Sequence, residues 1–408
     1  MTLRITLVRH GRSEANEANL WQGQGDSPLS ATGSGQAAAL GARLEGTHFD
    51  LVVASDLERA ADTARAVSTR VETDPAWREM DLGEWEGRTF EEVAARHPDL
   101  LEAIRNGEAI AFGETGETLA DFELRARGAL EALIERIGPD GSALVATHGG
   151  IIDAIVGGYL GRVPGRRTVP VVTNTSVTVL AGKPGRVQLR TLNDATHLGI
   201  DVGFLGRMRS DGVPVVAFVR HGLTDANKEG RIQGQSCWGL SVEGEEQARV
   251  LSAWYPTPGR VISSPLERAM ATAAAFGLPV ETDDALKELA FGAWEGMLGR
   301  DVGTLAEAKR IFEHHEDLPR GGHGETFAEV TTRMSAFLEG LDLDSAGPTV
   351  VVTHGASIRA LVAGLHHRGN DINRDLGVAP NASVTHVALT PDGPVLADYA
   401  LTPGEAFL

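Results

Sequence analysis

Arg9, His10, Arg59, Glu79 and His148 stand out in the first half of the chain as a set that could do chemistry together. Arginine is always charged and presents a planar fork of donors, so two of them can hold the equatorial oxygens of a phosphoryl group and neutralise its transition-state charge. A neutral imidazole beside them can attack phosphorus, and the neighbouring positive charge keeps it unprotonated. The leaving oxygen then needs a proton. A carboxylic acid in a partly desolvated pocket supplies it and, once ionised, activates the water that cleaves the phosphorus–nitrogen bond. A phosphate ester is the natural guest of such a set.

The set occurs twice. LVRHGRSEAN (7–16) returns as FVRHGLTDAN (218–227), and QGQGDSPLSATGSGQA (22–37) as QGQSCWGLSVEGEEQA (233–248). SDLERAADTA (55–64) returns as SPLERAMATA (264–273), REMDLGEWEG (78–87) as KELAFGAWEG (287–296), and GETLADFELR (116–125) as GETFAEVTTR (324–333). VATHGGIIDAIV (145–156) matches VVTHGASIRALV (351–362), and NTSVTVL (174–180) matches NASVTHVAL (381–389). Matches in one order along the chain mean a tandem duplication. Residues 1–200 form a first domain, 201–213 a linker and 214–408 a second domain, with contact between the two expected. The join, LGIDVGFLGRMRSDGVP (198–214), is rich in glycine, ends in proline and has no helical period.

The elements that must position these residues follow from the local patterns. LRITLVRH alternates apolar and polar residues with β-branched members and reads as a strand, so the Arg-His-Gly trio sits at its carboxyl end. SALVATHGG repeats this, a strand ending in Thr147 and His148 followed by an apolar helical run from Ile151 to Leu160. Val52 to Ala54 reads as a third strand, passing through a Ser-Asp cap into a helix with Arg59 on its first turn. In an α/β sheet the ligand crevice lies at the carboxyl ends of the strands, where residues distant in sequence converge.

Composition excludes several classes. The 408 residues are 42% hydrophobic and 23% charged, unlike disordered, collagen-like or coiled-coil chains. No apolar stretch reaches the ~18 residues of a membrane span, and MTLRITLVRHG has no signal-peptide pattern, so a cytoplasmic protein is expected. Cys237 is the one cysteine, which rules out an intramolecular disulfide and a cysteine-based zinc site. The net charge of −19 argues against nucleic acid and anionic membranes as partners. It leaves room for a local anion site, and 33 of the 37 basic residues are arginines.

The Arg-His-Gly trio, the LERA helix, the REMDLGEWEG and KELAFGAWEG stretches and the late THGG and THGA together resemble the histidine phosphatase superfamily, the phosphoglycerate-mutase-like fold. The resemblance covers nearly the whole chain, once in each half. It implies two tandem α/β domains, each a mostly parallel sheet flanked by helices. It also implies that His10 and His221 are the phosphorylated nucleophiles and that Arg9, Arg59 and His148, then Arg220, Arg268 and His354, form the phosphate pockets. Asn16 and Asn227 match an asparagine that reaches the phosphoryl oxygens, and Glu79 and Glu288 match the proton donor. The expected activity is hydrolysis of a small phosphorylated metabolite, with no cofactor and no metal. The alternatives are a mutase-type phosphotransferase and a half that binds phospho-ligands without turnover.

Neighbouring features weigh on these roles. Asp81 and Glu84 lie close to Glu79, but the second half has Ala290 and Ala293 there and keeps Glu288, which favours Glu79 as the acid. Trp85 and Trp294, with the following Glu-Gly, are expected to pack their loop, and the Gly-Glu-Thr at 116–118 and 324–326 to cap a helix. Asn174-Thr-Ser and Asn381-Ala-Ser read as strand starts rather than glycan acceptors, and the histidines at 314, 315, 323, 366 and 367 follow no metal-ligand spacing. His148-Gly149 and His354-Gly355 are not the His-Asp pair of the phytase-like branch. Only 68 residues separate Glu79 from His148 and 65 separate Glu288 from His354, short beside the covering insertion of classical mutases, so hydrolysis is favoured. Arg12, Asp26, Ser27 and Pro28 at the first rim become Leu223, Cys237, Trp238 and Gly239 at the second, so the two sites are expected to prefer different substrates.

Overall fold

The strand that opens each repeat is buried along most of both faces, as a central strand of a covered parallel sheet must be. The computed structural model describes residues 2–162, 167–183, 185–200, 202–342 and 347–404, and the chain divides into two compact units, Met1–Phe204 and Leu205–Phe407. In the first unit β1 (Leu3–Arg9), β2 (Leu51–Ala54), β3 (Glu72–Thr73), β4 (Ser142–Thr147), β5 (Val177–Lys183) and β6 (Arg186–Asp194) form one sheet in the order β3-β2-β4-β1-β5-β6. In the second, β7 (Val215–Arg220), β8 (Arg260–Ser263), β9 (Val280–Thr282), β10 (Thr349–Thr353), β11 (Val384–Thr390) and β12 (Gly393–Leu396) repeat that topology as β9-β8-β10-β7-β11-β12. Each sheet is parallel except at the edge formed by its last two strands. Helices flank both sheets, which gives the α/β architecture that the alternating pattern requires.

Register decides where the chemistry falls. β1 and β4 run parallel with Arg9 opposite Thr147, and β7 and β10 with Arg220 opposite Thr353. The next residue of each strand is a histidine, so His10 and His148 leave neighbouring strands at the same level, as do His221 and His354. The amide of His10 donates to the Thr147 carbonyl at 2.8 Å, and that of His221 to Thr353 at 3.0 Å. Beneath them Leu3, Ile5, Leu7, Val8, Leu144 and Val145 are fully buried, so the strand ends are anchored by the core.

Two local expectations need correction. The join is not irregular: Gly203–Ser210 is a helix, with Leu205 buried and Arg209 donating to the Tyr255 hydroxyl at 3.3 Å. Packing of these side chains outweighs the low helix propensity of its glycines. The helix Glu58–Arg65 is entered through Leu57 without a side-chain cap, because Asp56 turns to a bidentate pair with Arg78 at 2.6 and 2.7 Å. Among the described residues no helix is long and apolar enough to cross a membrane.

Candidate active sites

Each nucleophile candidate is held in one tautomer. Nδ1 of His10 lies 2.7 Å from the Gly11 carbonyl, and Nδ1 of His221 lies 2.7 Å from that of Gly222. A carbonyl only accepts, so Nδ1 carries the proton and the Nε2 lone pair is left for the pocket. The tight turn after each histidine depends on close backbone approach: a side chain on Gly11 would meet the Gly33 carbonyl at 2.6 Å, and one on Gly222 would meet that of Gly244 at 2.5 Å. Thr63 and Thr272 fix the same turns, each accepting the glycine amide at 2.9 Å.

The partner histidines complete the floor. The His10 and His148 rings are 5.1 Å apart, as are those of His221 and His354. All four are buried. Burial above all, and then the neighbouring arginines, hold each of them well below the ordinary histidine value, so they are neutral. Among the described residues neither ring nitrogen of His148 has a hydrogen-bond partner, while Nε2 of His354 meets the Ser264 hydroxyl at 2.8 Å. Buried orphan donors are costly, and an anion at the strand ends would accept from the ring N–H of His148.

The arginines are anchored through their own backbone partners. Arg59 donates to the carbonyls of Gly25 and Gly23, both at 2.8 Å, and Arg268 to those of Ser236 and Gly234 at 3.1 and 2.6 Å. Arg9 donates to Val172 and Arg220 to Ala379. Burial lowers Arg9 and Arg220 to about 10, with Glu79 and Glu288 opposing the shift, and both remain cationic at neutral pH. Neutral imidazoles beside fixed cations make a strong local attraction for a dianion.

Glu79 reaches the start of the helix Gly149–Leu160, where its carboxylate accepts from the Gly150 amide at 3.0 Å and from Met80 at 3.0 Å. Glu288 accepts from Leu289, Ala356 and Ser357 at 2.9, 3.2 and 3.2 Å. Asp81 folds back onto the Gly83 amide at 2.9 Å and Glu84 is exposed, so neither competes for that place. Asn16 and Asn227 sit at the third position of short helices, closing capping boxes with Ser13 and Thr224. Trp85 and Trp294 are buried in their loops, Glu86 and Glu295 accept the Gln24 and Gln235 amides at 2.6 and 2.9 Å, and Thr118 and Thr326 cap their helices.

Two pairs of positioning residues escaped the reading of the sequence. Asn174 and Asn381 do not start strands; each sits in the turn before one and donates to the nucleophile's own carbonyl, at 2.9 Å to His10 and 3.0 Å to His221. Their recurrence in both halves was the available signal. Arg125 and Arg333 pair with Glu117 and Glu325 and donate to the backbone carbonyls of Glu79 and Glu288 at 3.1 and 3.2 Å. They close the matched segments 116–125 and 324–333, so alignment of the halves contained them too. Among the described residues no group of three or more His, Cys, Asp or Glu is arranged around a metal position.

Comparison with known proteins gives the family. The family model of the histidine phosphatase superfamily (branch 1) matches residues 5–195 and again 216–402. A probable phosphoglycerate mutase, GpmB, of Yersinia enterocolitica is 32% identical over 167 residues, 40% of this chain and 77% of the relative. A glucosyl-3-phosphoglycerate phosphatase of Mycolicibacterium vanbaalenii is 35% identical over 168 residues, 39% of this chain and 74% of the relative. An adenosylcobalamin/alpha-ribazole phosphatase of Escherichia coli is 34% identical over 166 residues, 39% of this chain and 80% of the relative. Each aligned stretch is shorter than one unit. The chain belongs to the histidine phosphatase superfamily (branch 1), carries its domain twice, and is a histidine phosphatase.

Proposed function

We propose that each unit hydrolyses monophosphate esters of small metabolites through a phosphohistidine, on His10 in the first and on His221 in the second. The observation that carries this is the pinned Nδ1 of each histidine, which leaves an unprotonated Nε2 in a setting that holds a buried arginine, Arg59 in the first unit and Arg268 in the second. Nε2 of His10 attacks phosphorus while Arg9, Arg59 and His148 hold the phosphoryl oxygens, with Asn16 at the edge. The ester oxygen departs with the proton of Glu79. Water then gives its proton to the Glu79 carboxylate and attacks phosphorus, breaking the phosphorus–nitrogen bond and restoring neutral His10 and inorganic phosphate. Arg220, Arg268, His354, Asn227 and Glu288 take the same roles around His221.

Hydrolysis rather than phosphoryl return is supported by the short segments between each glutamate and the second histidine, and by phosphatases among the relatives. The rims support different substrates: Arg12 and Asp26 favour polar or charged esters in the first site, Leu223 and Trp238 less polar ones in the second. The net charge of −19 directs both away from nucleic acid.

His10→Ala and His221→Ala, assayed singly on p-nitrophenyl phosphate and on a panel of phosphorylated metabolites, test the assignment. Each should remove a different part of the substrate range, and the double variant should be inactive. Loss of all turnover in one single variant would show the other unit to be silent. The GpmB relative keeps a mutase in view. Formation of 2-phosphoglycerate from 3-phosphoglycerate without free phosphate would replace hydrolysis by that reaction.

A further inference from the structure

The first site has a support that the described residues of the second do not repeat, and it begins at a strained residue. Thr175 is fully buried and sits at φ +57°, a conformation that a β-branched residue adopts only under constraint. It follows Asn174, the donor to the His10 carbonyl, and its own amide donates to the Arg9 carbonyl at 3.0 Å. The Thr175 hydroxyl donates to the Asn174 carbonyl at 2.8 Å, so its oxygen is free to accept from Nε2 of His197 at 3.0 Å. On the other side of the ring, Nδ1 of His197 lies 3.2 Å from Arg43, which can only donate. Both contacts require the same neutral tautomer of His197. Arg43 is itself fixed by a bidentate pair with Asp194 at 3.1 and 2.6 Å.

In the second unit Ala382 occupies the place of Thr175 at nearly the same φ, +55°, with no hydroxyl to hold. Asn381 nevertheless makes the same bond to its nucleophile. The turn is thus formed in both sites, but among the described residues only the first braces it through a side-chain chain running from Asp194 to Asn174.

We propose that His197 is a positioning residue of the first site, which, braced by Arg43, clamps the strained Asn174–Thr175 turn and so fixes the backbone that presents His10. This rests on the assignment of His10 as the first nucleophile. Burial, reinforced by Arg43, lowers His197 to about 4, which keeps it in the neutral form that the clamp needs at neutral pH.

The test uses the full chain with His221→Ala, so that turnover of p-nitrophenyl phosphate reports the first site. Adding His197→Ala should lower kcat about tenfold while KM stays within about twofold, because ground-state phosphate contacts are untouched. His197→Gln, whose amide can still donate to Thr175, should recover most of the loss. Thr175→Val, which keeps the branching and removes the hydroxyl, should match His197→Ala and serves where that variant folds poorly. In a separate His10→Ala chain, His197→Ala should leave second-site turnover unchanged, which checks folding. A kcat within twofold of the parent in His197→Ala and Thr175→Val would overturn the positioning role, as would equal losses in His197→Ala and His197→Gln. A His221→Ala parent without turnover would instead overturn the assignment of the first site.

Discussion

The Nε–H of Arg268 donates to Nε2 of His221 at 3.3 Å. The contact is possible only because Nε2 carries no proton, and it places the lone pair of the proposed second nucleophile against a buried guanidinium. In the first unit the Nε of Arg59 has no hydrogen-bond partner among the described residues. If the proposed phosphoryl site is right, the Arg268 Nε–H must leave His221 before it can serve an incoming phosphoryl oxygen, a step that Arg59 is spared.

Arg59→Lys and Arg268→Lys test the guanidinium itself. A lysine cannot hold two backbone carbonyls and a phosphoryl oxygen together, so kcat/KM for the affected site should fall roughly 100-fold or more. Steady-state kinetics with the other site silenced provides the measurement. A change below threefold would remove these arginines from the pocket.

Arg125→Ala and Arg333→Ala address the glutamates indirectly. Each removes a bidentate partner of Glu117 or Glu325 and the donor to the carbonyl of Glu79 or Glu288. Loss of this support should lower kcat about tenfold with little change in KM. An effect on KM alone would place the arginines at the substrate rather than behind the acid.

Gly33→Ala gives a test by sign. In an exposed helix the change would stabilise by about 1 kcal/mol. Here the new methyl would stand 1.9 Å from the Arg12 carbonyl, and the equivalent at Gly244 stands 1.9 Å from that of Leu223. The obstacle is backbone, so Gly33→Ala and Gly244→Ala should each destabilise by about 1–3 kcal/mol in denaturant melts and impair their own site. Stabilisation would contradict the packing of these helices against the nucleophile turns.

The fold and the chemical groups were legible because their signals are local and doubled. Alternating strands ending in Arg-His-Gly and Thr-His-Gly place four histidines and two arginines at strand ends once the strands are laid side by side. Less legible was what holds those groups. Asn174 has the sequence of a strand start, and only the folded turn brings its amide to the His10 carbonyl. Arg125 lies in an amphipathic helix, where nothing local separates an arginine facing Glu79 from one facing water. The helix at Gly203–Ser210 was hidden by its glycines, since the burial of Leu205 that stabilises it is a tertiary effect.

Acid should destabilise the protein through its buried histidines. His10, His148, His197, His221 and His354 all bind protons less readily folded than unfolded. As pH falls below the unfolded value of about 6.5, the unfolded chain takes up protons that the native state does not, and stability present above that value is lost. Thermal melts should show Tm falling steadily from about pH 7 to about pH 5, with a shallower slope in His197→Gln. A Tm that rises over this range would contradict neutral buried histidines.

The most direct test of the central claim is acid-quench trapping of the phosphoenzyme from a 32P-labelled ester, with the labelled residue located by mass spectrometry. Acid-labile, base-stable label on His10 in the His221→Ala chain, and on His221 in the His10→Ala chain, is the predicted result. Turnover with no trapped phosphohistidine at either position, or label on another residue, would contradict it.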